Sequence, residues 1–422
     1  MFFFYKILTY LLYPFLILLI YLRRFLNKED KERFKEKIFF HDEPQIKKKL
    51  IWFHGASIGE INSIIPIIKY FLKDKDFKIL ITSVTLSSVK ILSDEFKYEK
   101  NVSHKFFPMD VTFLMKDFIN KYNPSSVIFV DSEIWPNCIS EIKKKNIPIV
   151  LLNARITDKT LKRWLLIKKF AKQIFSSFDI CIASSKNSQE NLKKLGVKDT
   201  IYFGNLKFVN NLKKLDKLNE NIVKSFNERK IWLAASTHPN EEIICVETHK
   251  LLKKKIPNLL TLIAPRHINR INEIISKIKK TNIKLQVIDD NDNSINENTE
   301  IVLINSFGSL NKYYQYCKNI FMGKSLNKKL ILVGGQNPLE AARLGCKIYH
   351  GPFTYNFKEI YEYLETLGIS ELIKNHEDLC DKIMNDMNSN FKVDDVKVNK
   401  INKFGQDIFD NTVKKLEQTI NL

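Results

Sequence analysis

LIWFHGASIGE, residues 50–60, joins a short apolar run to a turn of small residues and a carboxylate. An apolar run of this length, bounded by a glycine turn, is typical of a buried strand, and the residues after the turn have a helical pattern. Glu60 stands where that helix begins. Because ligands of open α/β sheets bind outside the carboxyl ends of the strands, this segment predicts a functional site at Glu60.

The same alternation of apolar runs and helical patterns continues along the chain and predicts parallel sheets covered by helices. A polar stretch at residues 209–228 lacks any strand pattern and separates two halves. We therefore predict an α/β fold with two Rossmann-like, doubly wound domains facing a cleft, over residues 31–212 and 213–422. The predicted strands are residues 50–53, 78–82, 126–130, 147–152, 180–183, 231–234, 259–264, 285–288, 300–304, 319–322 and 347–350.

The first 22 residues are almost entirely apolar, which is close to the roughly 20 residues that a membrane-spanning helix needs. A cluster of basic residues follows, beginning with Arg23 and Arg24. Basic flanks stay on the cytoplasmic side and bind anionic lipid headgroups. We predict a membrane anchor over residues 1–30 and a body on the cytoplasmic side of the membrane. Because Pro14 can break a helix, the anchor either spans the membrane or lies on it.

The whole chain of 422 residues is strongly basic, with 68 Lys and Arg against 47 Asp and Glu and a formal net charge of +21. This balance favours a polyanionic partner, although lysines spread over a solvated surface would give the same count. The six cysteines are scattered without a C-x-x-C pair. Their spacing argues against a zinc ribbon or a disulfide framework and favours buried apolar residues in a reducing compartment.

Two further positions of the first half carry candidate chemistry. Asp131 and Glu133 follow the predicted strand at residues 126–130, and two carboxylates in one cleft can divide acid and base roles. The alternative is a capping Asp131 and a Glu133 paired with a surface lysine. Lys207 lies near the end of this half, where a lysine could neutralise developing negative charge.

Residues 55–59 also match G-x-S-x-G, which in a strand-turn-helix context is the pattern of a hydrolase nucleophile elbow. A serine hydrolase using Ser57 is therefore an alternative function. It would need a histidine from later in the chain, such as His238, His267 or His350. The competing interpretation is that Ser57 only caps the helix.

In the second half the most informative segment is VGGQNPLEAA, residues 333–342. Its glycines allow close approach of a ligand, and a helix that starts near Asn337 and Pro338 could hold a phosphate, with Glu340 placed to accept hydrogen bonds from ribose hydroxyls. Arg266 follows another predicted strand and is a candidate phosphate ligand, because its guanidinium matches phosphate oxygens. Neither G-x-G-x-x-G nor G-x-x-x-x-G-K-[ST] occurs, which disfavours dinucleotide oxidoreductases and P-loop NTPases.

Taken together, these segments resemble the bacterial 3-deoxy-D-manno-octulosonic acid (Kdo) transferases, a family of membrane-attached glycosyltransferases with the GT-B fold. The resemblance extends over nearly the whole chain in the family's order. It departs from the family's usual residues at Ser309, Lys324 and Gln336, and in a longer loop over residues 326–333. The matching segments are HGASIGE (54–60), SEIWPN (132–137), NARIT (153–157), GNLKF (204–208), ASTHPNEE (235–242), APRH (264–267), GGQNPLEAA (334–342) and GPFTYNF (351–357).

The resemblance implies transfer of Kdo from CMP-Kdo to the lipid A precursor lipid IVA, with inversion, without a metal and without a further cofactor. It implies that Glu60 is the general base and that Glu133 and Lys207 support the transition state. The residues that it implies for CMP binding are Pro265, Arg266, Phe307, Gly308, Ser309, Asn337, Pro338, Leu339 and Glu340. A non-enzymatic alternative, a basic membrane-bound nucleic-acid binder, lacks any basic motif interleaved with aromatic residues, so we expect no nucleic-acid partner.

Overall fold

The computed structural model describes residues 1–39, 49–74, 76–209, 217–306, 308–331, 333–389 and 393–420. The chain forms two compact units. The first unit comprises Met1–Asn210 together with Phe404–Leu422, and the second comprises Asn211–Lys403.

A parallel sheet of seven strands forms the centre of the first unit. Its strands are β1 (Lys49–His54), β2 (Phe77–Ser83), β3 (Val102–Phe106), β4 (Ser126–Val130), β5 (Ile149–Ala154), β6 (Ile180–Ala183) and β7 (Thr200–Tyr202). Their order across the sheet is β3-β2-β1-β4-β5-β6-β7. The strand order therefore reverses between β1 and β4, which is where a doubly wound sheet opens its crevice. The helices are α1 (Phe2–Phe25), α2 (Ile58–Phe71), α3 (Leu86–Glu95), α4 (Thr112–Tyr122), α5 (Pro136–Lys144), α6 (Asp158–Leu165), α7 (Lys168–Phe175) and α8 (Lys186–Leu195).

Trp52, in the middle of β1, organises the core of this sheet. Its ring is fully buried against Phe118 and Phe129, with ring centroids 4.9 and 6.1 Å away. Its indole Nε1–H donates a hydrogen bond of 2.8 Å to the Thr82 hydroxyl of β2. The apolar run at residues 50–53 is thus a central parallel strand buried on both faces, as its composition predicts.

The second unit repeats this plan. Its strands are β8 (Lys230–Thr237), β9 (Leu259–Pro265), β10 (Leu285–Ile288), β11 (Ile301–Ile304), β12 (Asn319–Met322), β13 (Lys347–His350) and β14 (Ser370–Leu372). They are parallel in the order β10-β11-β9-β8-β12-β13-β14, so the reversal lies between β8 and β12. The helices are α9 (Glu220–Asn227), α10 (Glu241–Lys253), α11 (Ile271–Lys279), α12 (Leu310–Tyr314), α13 (Leu339–Arg343), α14 (Lys358–Thr366) and α15 (His376–Asn388), followed by α16 (Asp395–Thr419).

The predicted α/β class is confirmed, and every predicted strand is present. The structure adds β3, β7 and β14, which the sequence pattern did not indicate. All three lie at an edge of their sheet, and β7 and β14 have only three residues each. An edge strand buries fewer side chains than a central one, so it needs no continuous apolar run and leaves a weaker pattern.

The last part of α16 packs on the first unit, although the sequence analysis placed it with the second domain. The Phe404 ring lies 5.0 Å from that of Phe208, and the Tyr70 hydroxyl donates a 2.8 Å hydrogen bond to Glu417. Gly204 approaches Ile408 so closely that a Cβ atom there would lie 2.4 Å from the Ile408 Cδ1 atom. The sequence predicts this helix but not the unit on which its last part packs.

Helix α1 has two different faces. One face packs on the first unit, where the Tyr5 hydroxyl donates to Asp110 at 2.9 Å and the Asn137 side-chain amide donates to the Thr9 hydroxyl at 3.0 Å. The other face exposes apolar side chains spaced three and four residues apart, which is a continuous stripe on a helix. With 24 residues and a mean hydropathy of 1.9 over an 18-residue stretch, α1 is long and apolar enough to cross a membrane. The exposed stripe consists of Phe4, Leu8, Leu11, Phe15, Leu18, Leu22 and Phe25.

Candidate active site

Glu60 lies beside the strand reversal of the first unit, one turn into α2. Ser57 is the N-cap residue of this helix, and its hydroxyl accepts a hydrogen bond from the Glu60 backbone N–H. The Glu60 carboxylate in turn accepts bonds from the Ser57 hydroxyl at 2.8 Å and from the Ala56 backbone N–H at 2.7 Å. This reciprocal arrangement is a variant of the capping box and holds the carboxylate in one orientation.

The environment of Glu60 raises the pKa of its carboxyl group to about 7. Burial is the main cause, because it disfavours the charged form, and the negative charges of Glu133 and Asp131 add to it. The hydrogen bonds from Ser57 and Ala56 act in the opposite direction. A carboxylate with a pKa near neutral pH is suited to accept a proton from a substrate hydroxyl.

Glu133 follows β4 and is held by two aromatic side chains. Its Oε2 atom accepts a hydrogen bond of 2.9 Å from the Trp135 indole N–H and lies 3.2 Å from the His54 Nε2 atom. His54 is fully buried at the end of β1, is stacked on the Phe107 ring at 3.9 Å, and contacts the Thr82 hydroxyl through Nδ1 at 2.9 Å. Because a carboxylate only accepts hydrogen bonds, we assign an Nε2–H to His54.

Lys207 belongs to the same group of charges. Burial lowers the pKa of its ammonium group, while the negative charges of Asp131 and Glu60 raise it and Arg155 lowers it further. Burial raises the pKa of the Asp131 carboxyl, against the opposing charges of Lys207 and Arg155. The structure therefore brings Glu60, Glu133 and Lys207 together. Arg155 and His54 are additional members that the sequence analysis did not single out, although Arg155 directly follows β5.

The arrangement around Ser57 argues against the serine hydrolase alternative. The hydroxyl is engaged on both sides by Glu60, once as donor to the carboxylate and once as acceptor from the backbone. Of the histidines considered for that role, His350 contacts Glu365 at 3.0 Å and the Gly351 carbonyl at 2.9 Å. Ser57 is therefore the capping residue of α2, and the structure does not support the hydrolase interpretation.

A second group of loops meets at the strand reversal of the other unit, held by the carboxylate of Glu241. This side chain is buried and accepts four backbone N–H bonds, from His238 at 2.9 Å, Lys324 at 2.7 Å, Ser325 at 2.8 Å and Leu326 at 3.0 Å. These donors come from the loops after β8 and β12. A charge held by several N–H groups ties the two loops together far more strongly than a neutral contact would.

Arg266 is placed beside these loops by β9, which ends at Pro265. Its backbone N–H donates to the Thr237 carbonyl at 3.0 Å, and its positive charge acts on both His238 and Lys324. Burial lowers the pKa of His238 to about 4, and the surrounding cations contribute. His238 is therefore neutral at pH 7, and the positive charge here comes from Arg266 and Lys324.

The remaining residues that were predicted to bind CMP lie on two short segments. Asn337 accepts a bond from the Leu339 N–H at 3.1 Å, and Pro338 stands at the N-cap of α13, which has only five residues. Glu340 is exposed on that helix. Gly308 has a φ of +79°, the buried Ser309 hydroxyl is hydrogen-bonded to Ser306, and Phe307 lies outside the described residues.

The backbone connects the 334–340 segment to the loop after β12. The Gly335 N–H donates to the Lys324 carbonyl at 2.7 Å. A Cβ atom on Gly334 would lie 2.1 Å from the Phe353 carbonyl oxygen, so only glycine allows this approach. Within the described ranges, no three His, Cys, Asp or Glu side chains form a group that could hold a metal ion.

Two Rossmann-like parallel sheets, each with polar loops at its strand reversal, define an α/β protein of the GT-B-like fold class. A glycosyltransferase structure from Rickettsia africae ESF-5 shares this fold, with a TM-score of 0.54 at 15% identity over 89% of this chain and 98% of that one. The sequence comparisons are more specific. Residues 32–210 match the family model described as 3-deoxy-D-manno-octulosonic-acid transferase (kdotransferase).

Relatives of known name extend this match over both units. A 3-deoxy-D-manno-octulosonic acid transferase of Rickettsia bellii (strain RML369-C) is 32% identical over 357 residues, covering 82% of each chain. The enzyme of that name from Haemophilus influenzae (strain ATCC 51907 / DSM 11121 / KW20 / Rd) is also 32% identical, over 380 residues that cover 88% of this chain and 87% of the relative. The chain belongs to the 3-deoxy-D-manno-octulosonic acid transferase family.

The raised pKa of Glu60 predicts a pH-dependent effect of Glu60→Gln on stability. The carboxyl has an ordinary pKa of 4.5 when unfolded and about 7 when folded, so the folded state binds the proton more tightly. The stabilisation that the protonated Glu60 carboxyl gives to the folded state is complete below pH 4.5 and is lost as the pH rises through 7. We therefore compare the free energy of unfolding of Glu60→Gln with that of wild type at each pH. We expect the variant's value minus the wild-type value to be about 1–3 kcal/mol larger at pH 8 than at pH 5.

Urea denaturation followed by tryptophan fluorescence at both pH values measures this difference. The exposed residue Glu99 offers a matched control, because Glu99→Gln should change stability equally at both. An effect of Glu60→Gln that is the same at pH 5 and pH 8 would contradict the raised pKa.

Proposed function

We propose that the protein transfers Kdo from CMP-Kdo to a lipid A precursor, lipid IVA, with inversion and with Glu60 as general base. The observation that carries this proposal is the Glu60 carboxylate at the strand reversal, oriented by Ser57 and Ala56 and grouped with Glu133 and Lys207. Membership of the Kdo transferase family supports the reaction type. The donor and the acceptor are those that the resemblance of the motifs implies.

In the proposed reaction Glu60 accepts the proton of a primary hydroxyl of the acceptor. The hydroxyl oxygen then forms a bond to the anomeric carbon of Kdo, on the face opposite the leaving group, while the bond from that carbon to the phosphate oxygen breaks. CMP departs with the electron pair of this bond. Glu133 keeps the proton affinity of Glu60 high through its negative charge. Lys207 supplies positive charge where negative charge develops.

The second unit offers the groups that a departing CMP requires. Arg266 brings a guanidinium to the strand reversal, and we propose that it holds the phosphate. Pro265 would contact the nucleotide from the same loop. The other proposed contacts come from the two short segments described above, Phe307, Gly308 and Ser309 on one and Asn337, Pro338, Leu339 and Glu340 on the other.

We further propose that the exposed stripe of α1 binds the cytoplasmic face of the bacterial inner membrane, with α1 lying on the surface. Tyr5 and Thr9 hold the opposite face of this helix against the first unit, and the stripe residues from Phe4 to Phe25 are exposed. Arg23 and Arg24 at the end of α1 would meet anionic headgroups. With α1 bound in this way, the enzyme and its proposed lipid acceptor would lie at the same membrane surface.

A mass-spectrometric transfer assay tests the reaction and the base together. Purified protein in detergent receives CMP-Kdo and tetraacylated lipid IVA, and the product mass counts the Kdo units added. We expect transfer by wild type and by the control Glu99→Gln, and a loss of about 10²–10⁴-fold for Glu60→Gln, because removing a positioned general base removes its contribution to the rate. Full activity of Glu60→Gln would exclude Glu60 as base. If wild type is inactive while another member of the family is active in the same assay, the proposed substrates are wrong.

The pH profile of kcat/KM reports the ionisation of the base. Because Glu60 must be deprotonated to accept a proton, we expect activity to fall about tenfold per pH unit below a pKa of about 7. Glu133→Gln removes a neighbouring negative charge and should move this acid limb to lower pH, whatever it does to the maximal rate. A limb that stays in place in Glu133→Gln would show that another group titrates.

Flotation with vesicles containing phosphatidylglycerol tests the membrane surface. We expect wild type to float and the double variant Leu11→Asp/Phe15→Asp to stay in the dense fraction, because two charges in the stripe oppose its burial in lipid. Tyr98→Asp, at a highly exposed aromatic residue away from α1, is the control and should float. Flotation of the double variant at wild-type level would contradict the assignment.

A further inference from the structure

Lys324 occupies the loop directly after β12, at the strand reversal of the second unit. Its backbone is fixed from two sides. The Lys324 N–H donates to the buried Glu241 carboxylate at 2.7 Å, and its carbonyl accepts the Gly335 N–H at 2.7 Å. The position of its Cα is therefore determined by the same hydrogen bonds that hold the loops together.

The backbone conformation at Lys324 is unfavourable for a lysine. Its φ is +62°, in the left-handed region that glycine adopts without steric conflict. The other non-glycine residues with positive φ among the described ranges are asparagines, Asp131 and Ser236, which have short polar side chains. Lys324 is the exception, with a long side chain at a position where glycine would be more stable.

The surroundings of the Lys324 side chain also disfavour its positive charge. It is half-buried, and burial together with the positive charge of Arg266 lowers the pKa of the Lys324 ammonium. Among the described residues, no carboxylate forms a salt bridge with its Nζ atom, and the nearby Glu241 carboxylate accepts four backbone N–H bonds instead. Strained backbone, partial burial and a like charge each destabilise the protein, and an anion bound here would offset the electrostatic part.

We propose that Lys324 is a second cationic ligand, beside Arg266, for the phosphate of the nucleotide that this unit binds. The inference rests on the proposed function, because it takes the ligand to be a nucleoside monophosphate or its sugar ester. The ammonium on the loop after β12 and the guanidinium on the loop after β9 would approach the phosphate from the two sides of the loop after β8. Two such cations supply the charge that a departing phosphate requires.

Lys324→Gly separates binding from stability, because it removes the ammonium and relieves the backbone at once. We expect its melting temperature to rise by about 2–4 °C. By isothermal titration calorimetry we expect its Kd for CMP to rise about 10–100-fold, the loss of one charged hydrogen bond. The Kd for cytidine, which lacks the phosphate, should stay unchanged. Lys324→Gln, which keeps the strained backbone but not the charge, should lose CMP affinity equally.

Two controls isolate the two effects. Asn282→Gly relieves a positive φ of +54° elsewhere in the same unit and should leave CMP binding unchanged. Lys329→Ala removes an exposed lysine from the same connection and should also bind CMP as wild type does. Wild-type CMP affinity in both Lys324 variants would overturn the inference and leave the proposed donor intact. A wild-type protein that binds no CMP would refute the proposed donor and the inference with it.

Discussion

Parallel pairing of the strands is the constraint on which both candidate sites depend. Every strand pair described in the two sheets is parallel, so each strand must be followed by a crossover that returns the chain to the opposite edge. All carboxyl ends of the strands then lie at one edge of each sheet. Residues as distant in sequence as Glu60, Glu133 and Lys207 meet there, although no local pattern connects them. The reversal of strand order opens the space between neighbouring loops in which they lie.

At their separate strand reversals, the two units hold buried carboxylates in different ways. In the first, the negative charges of Glu133 and Asp131 add to the raised pKa of Glu60, whose carboxylate accepts hydrogen bonds from Ser57 and Ala56. In the second, four backbone N–H groups surround Glu241 and fix two loops. Burial raises the pKa of both the Glu60 and the Glu241 carboxyl groups. At Glu241 four backbone hydrogen bonds oppose that rise and make the side chain a structural anchor between two loops.

The central strands and the first-unit site could be predicted because their signals are local. The run at residues 50–53 is apolar throughout, and Glu60 follows its turn directly. His54 could not be predicted, because it stands at the end of an apolar run and its contacts are with Thr82 of β2 and with Glu133 from the loop after β4. The Glu241 anchor was missed for the same reason. The expected phosphate-binding helix at Asn337 is only a five-residue segment, since a propensity for helix initiation does not determine helix length.

The packing of the last helix has a consequence for the order in which the chain is made. Residues from Phe404 onward belong to the first unit, where Ile408 fills the space above Gly204 and Tyr70 bonds to Glu417. During synthesis the ribosome produces this segment only after the whole second unit. The first unit therefore leaves part of its apolar surface uncovered while the second unit is made, and it reaches its final form only when this segment docks.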